Sequence, residues 1–164
     1  MKTYLQSWAE FGGEGPPPVL LRRRPRHDEV EGIDLFRTRL TGVALERVTL
    51  PHLFACRSLL SRSSFVSADL HQSVITWCDV EHVDFSSADL RESDLRNSQF
   101  VAARFENARL EHCDLRGSSF DGCDFSGARL DGAIVTREQL GALSLSVVQR
   151  QSLKVDTADD APGG

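Results

Sequence analysis

Every fifth residue from Leu35 to Leu130 is large and apolar, with Ala55 the single small exception. Two positions ahead of each runs a second series. From Ser58 to Ala133 its members are serine, alanine or cysteine, apart from Val83. Neither a helical period of 3.6 nor a strand period of 2 keeps this register, so ordinary amphipathic elements are excluded over most of the chain. A wound backbone does keep it. One large and one small side chain then point inward per repeat, the large filling the axis and the small letting the wall approach closely enough for dense packing.

Blocks such as Ser67-Ala68-Asp69-Leu70-His71, Ser87-Ala88-Asp89-Leu90-Arg91 and Asn107-Ala108-Arg109-Leu110-Glu111 resemble the pentapeptide-repeat family. The resemblance implies an all-β solenoid: a right-handed quadrilateral parallel β-helix with one repeat per side, about twenty residues per coil and about five coils, stacked at roughly 4.8 Å, with short terminal helices. Val43, Val48 and Leu53 stand in the small series and Ala55 in the large one, so distortion is expected in the first coil or two.

The chain divides into residues 1–31, an aromatic helix with a Pro/Gly and basic linker; 32–135, the β-helix; 136–151, a capping or dimerisation helix; and 152–164, a disordered tail. Thr3-Tyr4-Leu5-Gln6 reads as a capping box that starts a helix with Tyr4, Trp8 and Phe11 on one face. Thr136-Arg137-Glu138-Gln139 reads as another, followed by Leu140, Leu143, Val147 and Val148 at helical spacing. A solenoid needs its ends covered, so this helix caps the last coil or, as the resemblance implies, joins a homodimer.

Residues twenty apart stack on one wall. Phe36, Phe54, Cys56, Val74 and Trp77 then form an outward apolar patch, which receives either the Tyr4/Trp8/Phe11 helix or a partner anchored on Trp77. Elsewhere the stacked charges alternate. Asp84, Arg104 and Asp124 form one column, Asp89 stacks on Arg109, Arg91 on Glu111, and Asp94 above Asp114 is flanked by Arg96 and Arg116.

The expected function is a non-enzymatic scaffold for a protein partner of unknown identity. The alternative implied by the resemblance is a DNA mimic that protects a type II topoisomerase, gyrase, from quinolone or toxin; arginines interrupting the carboxylate columns count against it. A filled rod offers no concave catalytic site. His112 one coil from Glu92 makes an exposed ionic contact rather than an acid/base pair. Three cysteines, Cys78, Cys113 and Cys123, fall in the small series and Cys56 points out, so reduced thiols are expected and no metal or other cofactor. Serines in that series read as packing elements. A net charge of −5 disfavours nucleic acid as a direct ligand. No stretch approaches the roughly 20 apolar residues of a membrane span, and no signal-peptide pattern opens the chain, so a cytoplasmic location is expected.

Overall fold

A computed structural model describes residues 35–156. Its strands are three residues long because each side of the coil is one pentapeptide, and the chain turns a corner before a fourth residue can join the ladder. They are β1 (Arg39–Thr41), β2 (Phe54–Cys56), β3 (Leu59–Ser61), β4 (Val74–Thr76), β5 (Asp79–Glu81), β6 (Gln99–Val101), β7 (Ser119–Asp121), β8 (Ile134–Thr136) and β9 (Lys154–Asp156). All pairing is parallel and offset by twenty residues: Leu40 faces Leu60, Val80 faces Phe100 and Phe100 faces Phe120. The result is a β-helix with four walls. Leu35, Ala55, Ile75, Leu95, Leu115 and Val135 lie on the first wall; Leu40, Leu45 and Leu50 begin the other three.

At the corners the second residue after each inward one is left-handed. Gly42, Gly117, Gly122, Gly127 and Gly132 do this without strain, yet fifteen non-glycine residues adopt it too, among them Arg37, Trp77 and His112. Such a conformation is normally avoided by side-chain-bearing residues. Here the ladder hydrogen bonds on both flanks enforce it: Arg37 and Trp77, for example, donate their backbone N–H groups to Cys56 and Arg96. At Gly127 a side chain would meet a second obstacle, since a Cβ there would stand 2.2 Å from Asn107 Oδ1.

The axis is filled by the large series. Phe65, Phe85, Phe105 and Phe125 stack up the third wall at 5.0–5.4 Å between ring centroids, and Phe100 and Phe120 stack on the second at 4.9 Å, meeting Phe105 edge-on. The expected distortion of the first coils is absent from the described residues, because β1 and β2 hold the same twenty-residue offset. Leu53 and Ala55 explain why. Both are buried, and the bulk missing at Ala55 is supplied two residues earlier by Leu53, so the volume of the layer is conserved.

The serines of the small series do more than fill space. Ser98 Oγ accepts the N–H of Cys78 one coil earlier at 3.0 Å and donates to the Ile75 carbonyl at 2.9 Å. Ser63, Ser73, Ser93 and Ser118 accept from Val43, Leu53, Ser73 and Ser98 in the same way. Where the residue one coil later is alanine, as Ala108 is to Ala88 and Ala128 to Ala108, the N–H turns back to the carbonyl three residues earlier. Serine is therefore a bond between coils. Ser98→Ala is expected to cost about 0.5–1.5 kcal/mol, the net worth of a hydrogen bond, because the freed Cys78 N–H can turn back to the Ile75 carbonyl as its alanine-faced counterparts do, read as a lower urea midpoint with an unchanged slope.

Residues 136–153 close the C-terminal end. The single helix expected over 136–151 is two, α1 (Arg137–Ala142) and α2 (Val147–Ser152), broken where Leu143 turns inward. Each opens with a capping box, Thr136/Gln139 and Ser146/Gln149, ten residues apart. Both glutamines also reach down to the final coil. Gln139 Nε2 donates to the carbonyls of Leu115 and Ser118 at 2.6 and 2.7 Å, and Gln149 Nε2 to those of Phe125 and Ala128 at 2.7 and 2.9 Å. The chain then rejoins the first wall. β9 pairs with β8 at the same offset of twenty, Val135 facing Val155, so the tail expected from residue 152 is ordered through Asp156. The cap is one more coil in which two short helices take the place of the second and fourth sides.

Candidate interaction faces

The apolar patch expected on the first wall is exposed. Trp77 is 61% accessible, Phe36 48% and Phe54 39%, with Val74 and Cys56 half-buried beside them. The parallel pairing of β2 with β4 sets Phe54 directly above Val74, and the left-handed corner turns Trp77 outward at the border of the first and second walls. Directly above Trp77 on that corner lie Arg57 and then Arg37, whose guanidinium sits 5.3 Å from the Phe36 ring centroid. Tyr4, Trp8 and Phe11, the other half of the expected contact, lie outside the described residues.

The cap separates its three candidate dimer residues. Leu143 is buried against the last coil and Leu140 is half-buried, whereas Val147 is 70% accessible and contributes nothing to the cap. Helix α2 is held instead by Gln149 and by Arg150, which donates to the carbonyls of Leu140, Leu143 and Leu145.

The later coils carry interlocked ion pairs. Asp94 binds Arg96 at 2.7 Å, Asp114 binds Arg116 at 2.6 Å, Arg96 Nε also reaches Asp114 at 3.6 Å, and Arg116 joins Asp156 on β9 at 2.5 Å. On the fourth wall Asp89 takes Arg91 and Arg109, as its register requires. Arg91 does not pair with Glu111, contrary to the stacking expectation, because Asp89 two residues away captures it; Glu111 takes Arg129 at 3.1 Å instead. Glu92 likewise accepts from Gln72 at 2.8 Å, and the His112 ring leans over Gly132, so the expected His112–Glu92 contact does not form.

Partial burial acts to raise the Asp89 carboxyl, but the hydrogen bonds and charge of Arg91, helped by Arg109, outweigh it and hold it below its ordinary value. At Asp114, Arg116 and Arg96 overcome burial similarly. A depressed carboxyl stabilises the fold at pH values above its unfolded pKa, and that stability is lost as pH falls through the folded value. The thermal midpoint should therefore be level from pH 7 to about 5 and drop below about pH 4.

All four cysteines are free thiols. Burial pushes Cys113 up to about 12 and Cys78 to about 11, and each donates its S–H to a carbonyl of the preceding coil, Leu90 and Ala55 respectively. No metal-ligand cluster occurs among the described residues. The expectation of a wholly convex surface is corrected at the C-terminal end, where α1 leaves a cleft of about 350 Å³ over Phe120, rimmed by Asp121 and Glu138. Its inner hydroxyl, Ser118, is committed to Leu95 and Ser98. No helix among the described residues is long and apolar enough to cross a membrane.

A family model for pentapeptide repeats (8 copies) matches residues 68–107 and 98–137. No curated protein matches the chain. Among solved structures it is similar to a pentapeptide repeat protein from the Arabidopsis thaliana thylakoid lumen, at 27% identity and a TM-score of 0.53 over 67% of this chain and 73% of that one. It is also similar to Rfr23 from the cyanobacterium Cyanothece 51142, at 20% identity and a TM-score of 0.38 over 60% and 88% of the two chains. A trypsin-treated form of QnrB1, a plasmid-mediated fluoroquinolone resistance protein, matches at 15% identity and a TM-score of 0.43 over 79% of each. The five-residue period, the offset of twenty between coils and the family match over residues 68–137 together mark a pentapeptide-repeat region, a right-handed quadrilateral β-helix closed at its C-terminal end by two short helices.

Proposed function

We propose that the protein is a non-enzymatic scaffold that binds a protein partner through the first wall, with Trp77 as anchor and Phe54 and Val74 beside it. The observation that carries this is the exposure of Trp77 on a wall whose backbone the ladder holds rigid. Such an anchor loses little conformational entropy on binding, and buried tryptophans dominate interface energies. Four free thiols fit the reducing cytoplasm as the place of action.

A second reading, duplex mimicry toward a type II topoisomerase, draws on the acidic later coils, where thirteen carboxylates stand against six arginines between residues 69 and 136. Pairing of all six arginines with carboxylates weakens it, because a mimic needs unspent charge. Homodimerisation would rest on Val147 and Val148, the exposed pair of α2.

The test is affinity capture from host lysate by the full chain, by Trp77→Ala and by a chain lacking residues 1–18, with topoisomerases probed explicitly. Capture of a defined protein by the full chain and its loss with Trp77→Ala is the expected result. Identical capture by all forms overturns the assignment of the first wall, and recovery of a topoisomerase by Trp77→Ala moves the site to the acidic coils.

A further inference from the structure

Charge is distributed unevenly along the rod. Residues 35–68 contain five arginines, Arg37, Arg39, Arg47, Arg57 and Arg62, and one carboxylate, Glu46. All five arginines are exposed, and none has a carboxylate partner among the described residues. From residue 69 to 136 the balance reverses to thirteen carboxylates and six arginines, and every one of those arginines is ion-paired. The contrast has a physical consequence. Arginines held by aspartates two residues or one coil away have spent their charge within the fold, whereas those of the first coils project it into solvent.

Three of the unspent cations adjoin the apolar patch. Arg37 and Arg57 stack on the corner directly above Trp77, and Arg39 opens the next wall two residues beyond Arg37. Glu46 cannot answer them, since it lies on the opposite wall and accepts from Ser64 at 3.1 Å. Below the patch the surface turns acidic at Asp79, and Asp94 is spent on Arg96. The cationic and apolar region is therefore about three rungs tall, or roughly 10–15 Å at the strand spacing.

Building on the first wall as the binding site, we infer that its ligand is a short acidic segment of a protein partner carrying an aromatic or aliphatic anchor. Arg37, Arg39 and Arg57 receive its carboxylates while Phe54, Val74 and Trp77 receive the anchor. Charge complementarity selects the acidic partner, and guanidinium forks suit carboxylates. A nucleic acid has the right sign and the wrong extent: its charge continues along the strand, and beyond three rungs it meets the acidic coils.

The experiment titrates the full chain with a labelled peptide of roughly twelve residues built from Glu, Asp, Phe and Leu, beside oligoglutamate and single-stranded DNA of equal length. The peptide is expected to bind at least about tenfold more tightly than either control, and to weaken steeply as salt rises. Arg37→Glu with Arg57→Glu should reduce its affinity by at least about tenfold, with circular dichroism unchanged because both side chains are exposed. If Trp77→Ala weakens binding and charge reversal does not, the first wall stands as the site and the acidic character of its partner is overturned. Failure of both variants to alter binding overturns both. Tighter binding of the DNA, lost on charge reversal, replaces the protein partner by a nucleic acid. Residues Asp28, Glu29, Glu31 and Asp34 form an acidic stretch of this same chain. If neutralising those four raises peptide affinity about tenfold or more, the chain's own stretch is the occupant and an external partner is overturned.

Discussion

Phe105→Ala should destabilise the protein by about 3–5 kcal/mol, the usual cost of deleting a buried phenylalanine ring. Phe105 is fully buried, stacks between Phe85 and Phe125 at 5.2 and 5.0 Å, and meets Phe100 and Phe120 edge-on. The cavity cannot collapse, because the walls around it are fixed by ladder hydrogen bonds at every rung. A solenoid's stability is passed from neighbour to neighbour, so a void in the middle also weakens the coupling between the coils on either side. Thermal unfolding followed by circular dichroism should show a midpoint lower by on the order of 10 °C and a broader transition. Val101→Ala, on the outside of the adjoining wall, should move it by no more than about 1 °C. Equal effects from the two substitutions would mean that the ring stack is not the source of the fold's stability.

Gln139→Glu is expected to cost about 2–4 kcal/mol at neutral pH, since it strips two buried carbonyls of their donor and turns a charge toward them. The Gln139 amide now bonds Leu115 and Ser118, while its Oε1 accepts the Thr136 N–H at 2.8 Å. A carboxylate keeps the second role and reverses the first. A protonated carboxyl restores one donor, so the substituted group has a folded pKa above its unfolded value of about 4.3. The sign follows from linkage. The restored bond stabilises the fold below the unfolded pKa and is lost as pH rises through the folded one. The deficit relative to the parent chain should therefore shrink between pH 7 and pH 5, before the Asp89 and Asp114 pairs begin to fail. A deficit independent of pH would show that the side chain has swung out of the cap.

The two substitutions probe features that differ in how openly the sequence displays them. Phe105 is one term of a series that repeats every five residues, and a core-packing period is written into each repeat separately. No contact needs to be known before it is read. The same holds for the twenty-residue offset, which places Phe54 above Val74 and Asp89 above Arg109. Gln139 was legible only as the fourth residue of a capping box. Its grip on Leu115 and Ser118 spans more than twenty residues and depends on how α1 lies on the final coil. The break between α1 and α2 was hidden for a related reason: Leu140, Leu143, Val147 and Val148 keep helical spacing, but burying Leu143 requires the chain to leave the helix. The strand β9 carries too little apolar signal to announce itself, and the unpaired edge of β8 recruits it.

Charge marks the division most plainly. The count of arginines and carboxylates in each half, the reach of the repeat and the choice of serine, alanine or cysteine at each small position belong to the sequence alone, because each is a property of single residues in a known period. Which charges are spent is decided by the tertiary structure. Arg91 turns to Asp89 rather than to Glu111, and Arg37 stands over Phe36 with no carboxylate partner among the described residues. Pairing depends on ångström distances between side chains on neighbouring coils, and the period sets their order without setting their reach.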